Sequence, residues 1–237
     1  MSKTTVIVTG GSRGLGLELV RVLLREGYQV ATCSRTLSPE LQALRARHSG
    51  LLWQKVDVSD EKQVRVLYAR VKARFKNIDV LINNAAIPGP LGFFKDVALK
   101  DWEQALRVNL LGAVYHTHAA LPLMGKKPGG LILNVSAPVA GDLVGCSAYA
   151  VAKTALNYFS DILAAELKKS PIEVRTVFPG TMDTGFVKAA LRGAGKKIPF
   201  SVELARQKRL GALPGAEAAA EKIVRMIVEW SARHGRK

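Results

Sequence analysis

Apolar residues recur along this chain in two rhythms. Short runs rich in Val, Ile, Leu and Thr alternate with longer stretches whose apolar positions fall at helical spacing. "TTVIVTG" (4–10) predicts a first strand ending in glycines, and "GLGLELVRVLLREG" (14–27) a helix that stops at Gly27. "YQVATCS" (28–34) predicts a second strand. "SPELQALRARH" (38–48) predicts a helix with Ser38 as N-cap and Pro39 at its first position. "LLWQKVDV" (51–58) follows as a third strand. "SDEKQVRVLYARVKARF" (59–75) is an amphipathic helix with acids in its first turn, where the helix dipole favours them. "IDVLINNA" (78–85) predicts a fourth strand, and "KDWEQALRVNLLGAVYHTHAALPLM" (100–124) one long helix. "GGLILNVS" (129–136) is a fifth strand, "AYAVAKTALNYFSDILAAELKK" (148–169) another long helix, and "IEVRTVFPG" (172–180) a sixth strand. "AEAAAEKIVRMIVEW" (216–230) closes the pattern as a helix.

Strand–helix alternation of this kind specifies a parallel sheet covered on both faces. Right-handed crossovers then predict an α/β fold, a doubly wound, Rossmann-like sheet in three αβα layers with strand order 3-2-1-4-5-6. No repeat or linker divides the chain, so 1–237 reads as one domain. The stretch after Pro179 is Gly-rich and basic, without a clear strand. A segment that long between core elements predicts a lid or binding loop, here 181–213.

Composition adds limits. Hydrophobic residues make up 48% of the chain and charged residues 23%, an ordinary globular balance. The two cysteines, Cys33 and Cys146, have no metal-ligand spacing, which argues against a disulfide framework or a metal site and fits a reducing compartment. The opening "MSKTTVIVTGG" has too short an apolar run for a signal peptide. No stretch approaches the roughly 18 apolar residues of a membrane helix, so a soluble, cytoplasmic protein is expected. The net charge of +16 is the unusual number. The cations are scattered, with no zinc-finger spacing and no aromatic–basic interleaving. They read as solvated surface, with anionic ligands favoured over a nucleic-acid site.

The first strand runs into "TGGSRGLG", with glycines at Gly10, Gly14 and Gly16. The spacing G-x-x-x-G-x-G departs from the G-x-G-x-x-G dinucleotide fingerprint, but the physics is shared. Glycines let the backbone turn tightly against a pyrophosphate, and the next helix presents its N-terminus to the anion. NAD sites usually carry an acid at the end of the second strand. Here Ser34 stands in that place and Arg35 follows. A carboxylate would repel a 2′-phosphate, whereas a guanidinium grips one bidentately. Arg13, inside the turn, is a second candidate for the same group. The reading is NADP(H) over NAD(H); a solvated Arg35 is the alternative.

These residues resemble the short-chain dehydrogenase/reductase family, and the likeness covers nearly the whole chain. "TGGSRGLG" is similar to its T-G-x-x-x-G-x-G turn, and "NNAA" (83–86) to its N-N-A-G motif with Ala86 in place of Gly. Asn109, Ser136, and Tyr149 with Lys153 match its catalytic tetrad in order and spacing, and "PGTMDT" (179–184) resembles its P-G-x-x-x-T segment. The resemblance implies that Tyr149 donates the proton when a ketone or aldehyde is reduced with hydride from NADPH. Lys153 would lower the phenol's pKa and hold the nicotinamide ribose. Ser136 would bond the substrate oxygen, and Asn109 would support a water linking Lys153 to solvent. Gly10, Ser12, Arg13, Gly14, Leu15 and Gly16 would cradle the pyrophosphate, with Ser34 and Arg35 at the 2′-position. Asp57 and Val58 would flank the adenine, and Asn84 and Ala85 the adenosine ribose. Pro179, Gly180, Met182 and Thr184 would line the nicotinamide end. No metal is implied.

Many members of that family end on a seventh strand, absent from this pattern. The sixth strand is then an exposed edge or covered by the last helix. A homodimer through the Asn109 and Tyr149 helices is expected, with tetramer formation open. Phe94 and Trp102 read as packing, His116 and His118 as structural or interfacial, and Cys146 as packing or a substrate-side contact. Between 188 and 209, Lys188, Arg192, Lys196, Lys197, Arg206, Lys208 and Arg209 face a single acid, Glu203. With Lys126, Lys127, Lys168 and Lys169 they fit an anionic or carrier-protein-linked substrate, 3-ketoacyl among them, or a solvated surface. Phe186, Val187, Leu191, Ile198 and Phe200 predict an apolar pocket wall. A non-catalytic NADP(H) sensor is the alternative function, and the intact tetrad argues against it.

Overall fold

A computed structural model describes residues 3–125, 129–138, 143–193 and 198–235. Six parallel strands form one sheet: β1 (Thr5–Thr9), β2 (Gln29–Ser34), β3 (Leu51–Lys55), β4 (Val80–Asn83), β5 (Gly130–Val135) and β6 (Ile172–Val177), in the order β3-β2-β1-β4-β5-β6. This is the expected doubly wound order. The reversal between β1 and β4 opens a crevice at the strands' C-terminal ends, where such sheets bind ligands.

The two faces follow from the period-2 alternation of each strand. Val6 and Val8 of β1 and Leu131 and Leu133 of β5 enter one core with Leu19 and Leu23 of α1 (Gly14–Arg25). Leu41 of α2 (Pro39–Arg47) joins that core, as do Ile223, Ile227 and Trp230 of α9 (Ala216–Arg233). Ile7, Leu81 and Ile132 enter the opposite core with Val64, Leu67 and Val71 of α3 (Glu61–Phe75). Ser38 caps α2 as expected, its Oγ accepting from Leu41 N at 3.2 Å, and Asp60 caps α3.

Two elements differ from expectation, and the sixth strand takes one of its two expected placements. The single helix expected over 100–124 is interrupted. It runs as α4 (Leu99–Leu106), a wider π-type turn over Arg107–Leu111, then α5 (Gly112–Ala120) and a 3₁₀ turn holding Pro122. The segment expected as a lid or binding loop carries two helices, α7 (Gly185–Gly193) and α8 (Pro199–Arg209). Val187, Ala190, Ile198 and Leu204 there build a third small core with Leu91 and Cys146. Last, β6 is an edge of the sheet, half-buried over Ile172–Thr176, while α9 packs along α1 and covers the face rather than the edge. Among the described residues there is no seventh strand, and no helix is long and apolar enough to cross a membrane.

Candidate active site

The glycine turn is built by close approach. Gly10 and Gly14 take φ of +76° and +54°, a region side chains disfavour. A Cβ on Gly16 would lie 2.2 Å from the Gly10 carbonyl oxygen, and one on Gly10 would lie 3.0 Å from Ala85 Cα. Only glycine lets α1 start this close to β1. The Thr9 hydroxyl accepts from the amides of Asn84 and Ala85, both at 2.9 Å, and Asn84 Nδ2 donates to Thr9 O at 2.8 Å. The Cys33 carbonyl accepts from Gly10 N at 2.9 Å and Gly11 N at 3.3 Å. Exposed Arg13 precedes α1, no side chain caps it, and its first turn holds no acid. The N–H groups over Gly14, Leu15 and Gly16 therefore form an uncapped anion cradle, beside half-buried Ser12. A Cβ on Gly14 would lie 3.4 Å from Thr184 Cβ, so the start of α7 meets the glycine turn. Met182 packs on the first core, Pro179 is half-buried, and Gly180 sits exposed at φ +81°.

The rest of the crevice lies past β2 and β3. Ser34 is buried and its hydroxyl is engaged within the fold: it accepts from Trp53 Nε1 and donates to Thr36 O, both at 2.8 Å. Arg35 beside it is exposed, with no acid against its guanidinium among the described residues. Asp57 Oδ1 accepts from Ser59 N at 2.9 Å and Ser59 Oγ at 2.6 Å, which fixes the loop after β3. Val58 packs on Gly112, where a Cβ would come 3.0 Å from Val58 Cγ2.

The tetrad residues gather beyond β4 and β5. Ser136 follows β5 and is 5% exposed; Lys153, on α6 (Ser147–Glu166), is 3% exposed. Lys153 Nζ donates to Val135 O at 2.8 Å, and Ser136 Oγ lies 3.5 Å from Lys153 O. Tyr149 sits one turn earlier, with Nζ 5.9 Å from its ring centroid. Phe186 of α7 leans on the Tyr149 ring, centroids 5.6 Å apart. Asn109 stands in the π-type turn, and its amide meets the backbone N–H and C=O of a single residue, Ile87. Its Oδ1 accepts from Ile87 N and its Nδ2 donates to Ile87 O, both at 2.8 Å.

The electrostatics correct one expectation. Lys153 does not pull the Tyr149 phenol down in this arrangement. Burial first, then the nearby Cys146 thiol, push Tyr149 up to about 12. Burial likewise brings Lys153 down to about 8. Desolvation outweighs attraction because the ammonium is turned onto the Val135 carbonyl and stands off the ring.

Other residues read from the sequence fall as follows. His116 is fully buried beneath β2, with Tyr68 Oη 3.2 Å from Nδ1 and Cys33 Sγ 3.9 Å from Nε2; His118 is exposed. Burial drives His116 down to about 3 and the Cys33 thiol up to about 12. Phe94 is exposed against the edge of Trp102, whose Nε1 donates to Ser147 Oγ at 3.1 Å. In the lid, Glu203 pairs with Arg206, and Lys208 pairs with Asp183 from outside the basic stretch. Lys126, Lys127, Lys196 and Lys197 lie outside the described residues. A polar rung beneath the site escaped sequence reasoning. Asn83 Nδ2 donates to Asn134 Oδ1 at 2.8 Å, and Asn134 Nδ2 donates to Ser160 Oγ at 2.8 Å, tying β4 and β5 to α6. Its signal was an Asn in each of two otherwise apolar strands, "LINN" and "ILNV". A cleft of about 590 Å³ borders Gly14 and Thr184 between α1, α7 and α9, but neither Tyr149 nor Lys153 lines it.

The family model described as short chain dehydrogenase matches residues 4–194. An uncharacterized oxidoreductase of Schizosaccharomyces pombe is 36% identical over 194 residues, 81% of this chain and 65% of its own length. Oxidoreductase UcpA of Salmonella typhimurium is 33% identical over 84% of this chain and 76% of its own. The probable oxidoreductase EphD of Mycobacterium tuberculosis is 35% identical over 78% of this chain but only 32% of its own. The chain thus spans under two thirds of some relatives it matches. Among solved structures, an actinorhodin polyketide ketoreductase with NADPH superposes at TM-score 0.83 with 27% identity, covering 95% of this chain and 90% of that one. A short chain dehydrogenase/reductase from Burkholderia phymatum in complex with NAD shares the fold at TM-score 0.83 and 21% identity, over 96% and 86%.

Proposed function

Since the chain belongs to the short-chain dehydrogenase family, we propose that this oxidoreductase is an NADP(H)-dependent carbonyl reductase, reversible as an alcohol dehydrogenase. The observation that carries the reading is the pairing at the crevice: a 3%-exposed lysine one helical turn from a half-buried tyrosine, beside an uncapped glycine cradle. An ammonium held out of water is costly, and its retention in such a cleft marks a functional site.

The cradle fits a dinucleotide. Gly16 leaves no room for a Cβ and Gly10 holds φ +76°, so the turn offers bare backbone amides to a pyrophosphate. Gly10, Ser12, Arg13, Gly14, Leu15 and Gly16 would hold that group, and Arg35 the 2′-phosphate. Ser34 and Thr36 shape the loop that carries Arg35. Asp57 and Val58 would border the adenine, Asn84 and Ala85 its ribose. Lys153 with Pro179, Gly180, Met182 and Thr184 would hold the nicotinamide end. When bound, the dihydronicotinamide supplies a hydride.

The chain's own groups then handle the oxygen. Tyr149 is a neutral phenol at pH 7, which is the donor form the reductive direction needs. Its Oη donates a proton to the substrate oxygen as charge develops there, and Ser136 Oγ donates a hydrogen bond to the same atom. Lys153, charged below about pH 8, is anchored on the Val135 carbonyl one turn from Tyr149, where its ammonium would hold the nicotinamide ribose. Asn109 clamps Ile87 and fixes the loop after β4 that closes this corner. Phe186 sets an apolar wall over Tyr149, which favours a ketone or aldehyde with an apolar body. An exposed apolar row on α6, Val151, Tyr158 and Ile162, supports a homodimer through this helix.

The test is a fluorescence titration with NADPH and with NADH at fixed ionic strength. A clear preference for NADPH is expected. Preference for NADH overturns the 2′-phosphate assignment, and binding of neither overturns the reading as a whole.

A further inference from the structure

Trp53 takes no part in the chemistry above, yet it touches the cofactor loop. It lies on the edge strand β3, in register with Thr32 of β2. Its Nε1–H donates to Ser34 Oγ at 2.8 Å, and the Ser34 hydroxyl donates onward to the Thr36 carbonyl at 2.8 Å. Arg35 stands between those two residues, exposed. The Ser34 carbonyl accepts from Val56 N at 3.0 Å. The residues on either side of Arg35 are therefore both pinned, Ser34 by backbone and hydroxyl, Thr36 by its carbonyl. The Trp53 ring packs against the first core, so the donor is delivered on a rigid plane. Ser34 is 7% exposed, and water is a poor substitute for the indole there.

We propose that Trp53 is a positioning residue for 2′-phosphate recognition, acting through the relay Nε1–Ser34 Oγ–Thr36 O to hold the Arg35 loop in its binding shape. The inference rests on the NADP(H) reading of the site. Without the indole N–H the Ser34 hydroxyl loses the donor that orients it toward the Thr36 carbonyl, and the loop samples more conformations. Arg35 must then be ordered on binding, which weakens the grip on the phosphate. A cofactor ending in a 2′-hydroxyl makes no demand on Arg35, so its affinity is untouched. A tryptophan that merely supported the fold would weaken both nucleotides together.

The experiment measures Kd for NADPH and NADH by nucleotide fluorescence in the wild type and in Trp53→Phe, Ser34→Ala, their double variant, Ser34→Thr and Arg35→Ala. Trp53→Phe keeps the ring and deletes the donor; it should raise Kd for NADPH about 3- to 10-fold, the worth of one hydrogen bond. Kd for NADH should stay within about twofold. Ser34→Ala should match it, the double variant should be no worse than either single, and Ser34→Thr should restore binding by keeping the hydroxyl. If Trp53→Phe does not fold, Ser34→Ala carries the same test without disturbing the ring. Equal loss for both nucleotides in Trp53→Phe, or no NADPH loss there while Arg35→Ala weakens NADPH alone, overturns the relay and leaves the NADP(H) reading standing. An Arg35→Ala variant that keeps its NADPH preference overturns the assignment of Arg35 to the 2′-phosphate and the relay with it, whereas a wild type that prefers NADH overturns the NADP(H) reading itself.

Discussion

Replacing Lys153 by Met should stabilise the fold while removing activity. The Lys153 ammonium is 3% exposed, and burial brings its pKa from 10.5 to about 8. At 1.36 kcal/mol per tenfold, that depression costs the folded state about 3 kcal/mol at pH 7. Solvent screening offers little relief at such burial. The cost is complete below about pH 8 and fades as pH rises toward 10.5, where the unfolded chain also loses the proton. Met fills similar volume without charge, although it forfeits the 2.8 Å bond to Val135 O, worth about 1–3 kcal/mol. The absolute difference at pH 7 is therefore a partial cancellation, but its pH dependence is not. Between pH 7 and pH 10 the advantage of Met over Lys should shrink by about 2–3 kcal/mol. Urea unfolding of both proteins, followed by tryptophan fluorescence at each pH, measures it; other titrating groups cancel in the difference. A stability difference flat across that range would refute the claim that a charged lysine is held out of water here.

Acid should destabilise the protein through His116. Its folded value near 3 lies below the ordinary 6.5, so stability falls as pH drops from about 6.5 toward 3, by about 2 kcal/mol at pH 5. His116→Gln should flatten that part of the urea-midpoint profile. Gly16→Ala should abolish nucleotide binding, since its Cβ would meet a backbone oxygen at 2.2 Å, and calorimetric titration with NADPH reads this. The Cys33 thiol, buried and raised to about 12, should react with a thiol reagent only after unfolding, as stopped-flow labelling with and without denaturant would show.

The strand order and both cores were legible because β-branched runs and helical spacing carried them, and Ser38–Pro39 marked α2 without ambiguity. The π-type turn was not. Nothing in "RVNLLGA" distinguishes it from continuous helix; within it Asn109 bonds both Ile87 N and Ile87 O, a contact across 22 residues that no local pattern shows. The α7–α8 pair hid behind glycines and cations, and its stability comes from Leu91 and Cys146, which no local pattern connects to it. The tetrad's positions came from the family resemblance, matched in order and spacing, but the direction of the Tyr149 shift depended on where the Lys153 ammonium points. That is a three-dimensional quantity. Trp53 was legible only as one residue of the third strand; the bond from its Nε1 to Ser34 Oγ is a three-dimensional fact.

The central claim is hydride transfer to a carbonyl with Tyr149 as proton donor. The direct measurement is loss of nicotinamide absorbance when NADPH meets a panel of ketones and aldehydes, in wild type and Tyr149→Phe. Turnover is expected in the wild type, with a fall of about 10²- to 10⁴-fold in the variant and unchanged NADPH binding in both. Equal turnover in the two proteins would contradict the claim.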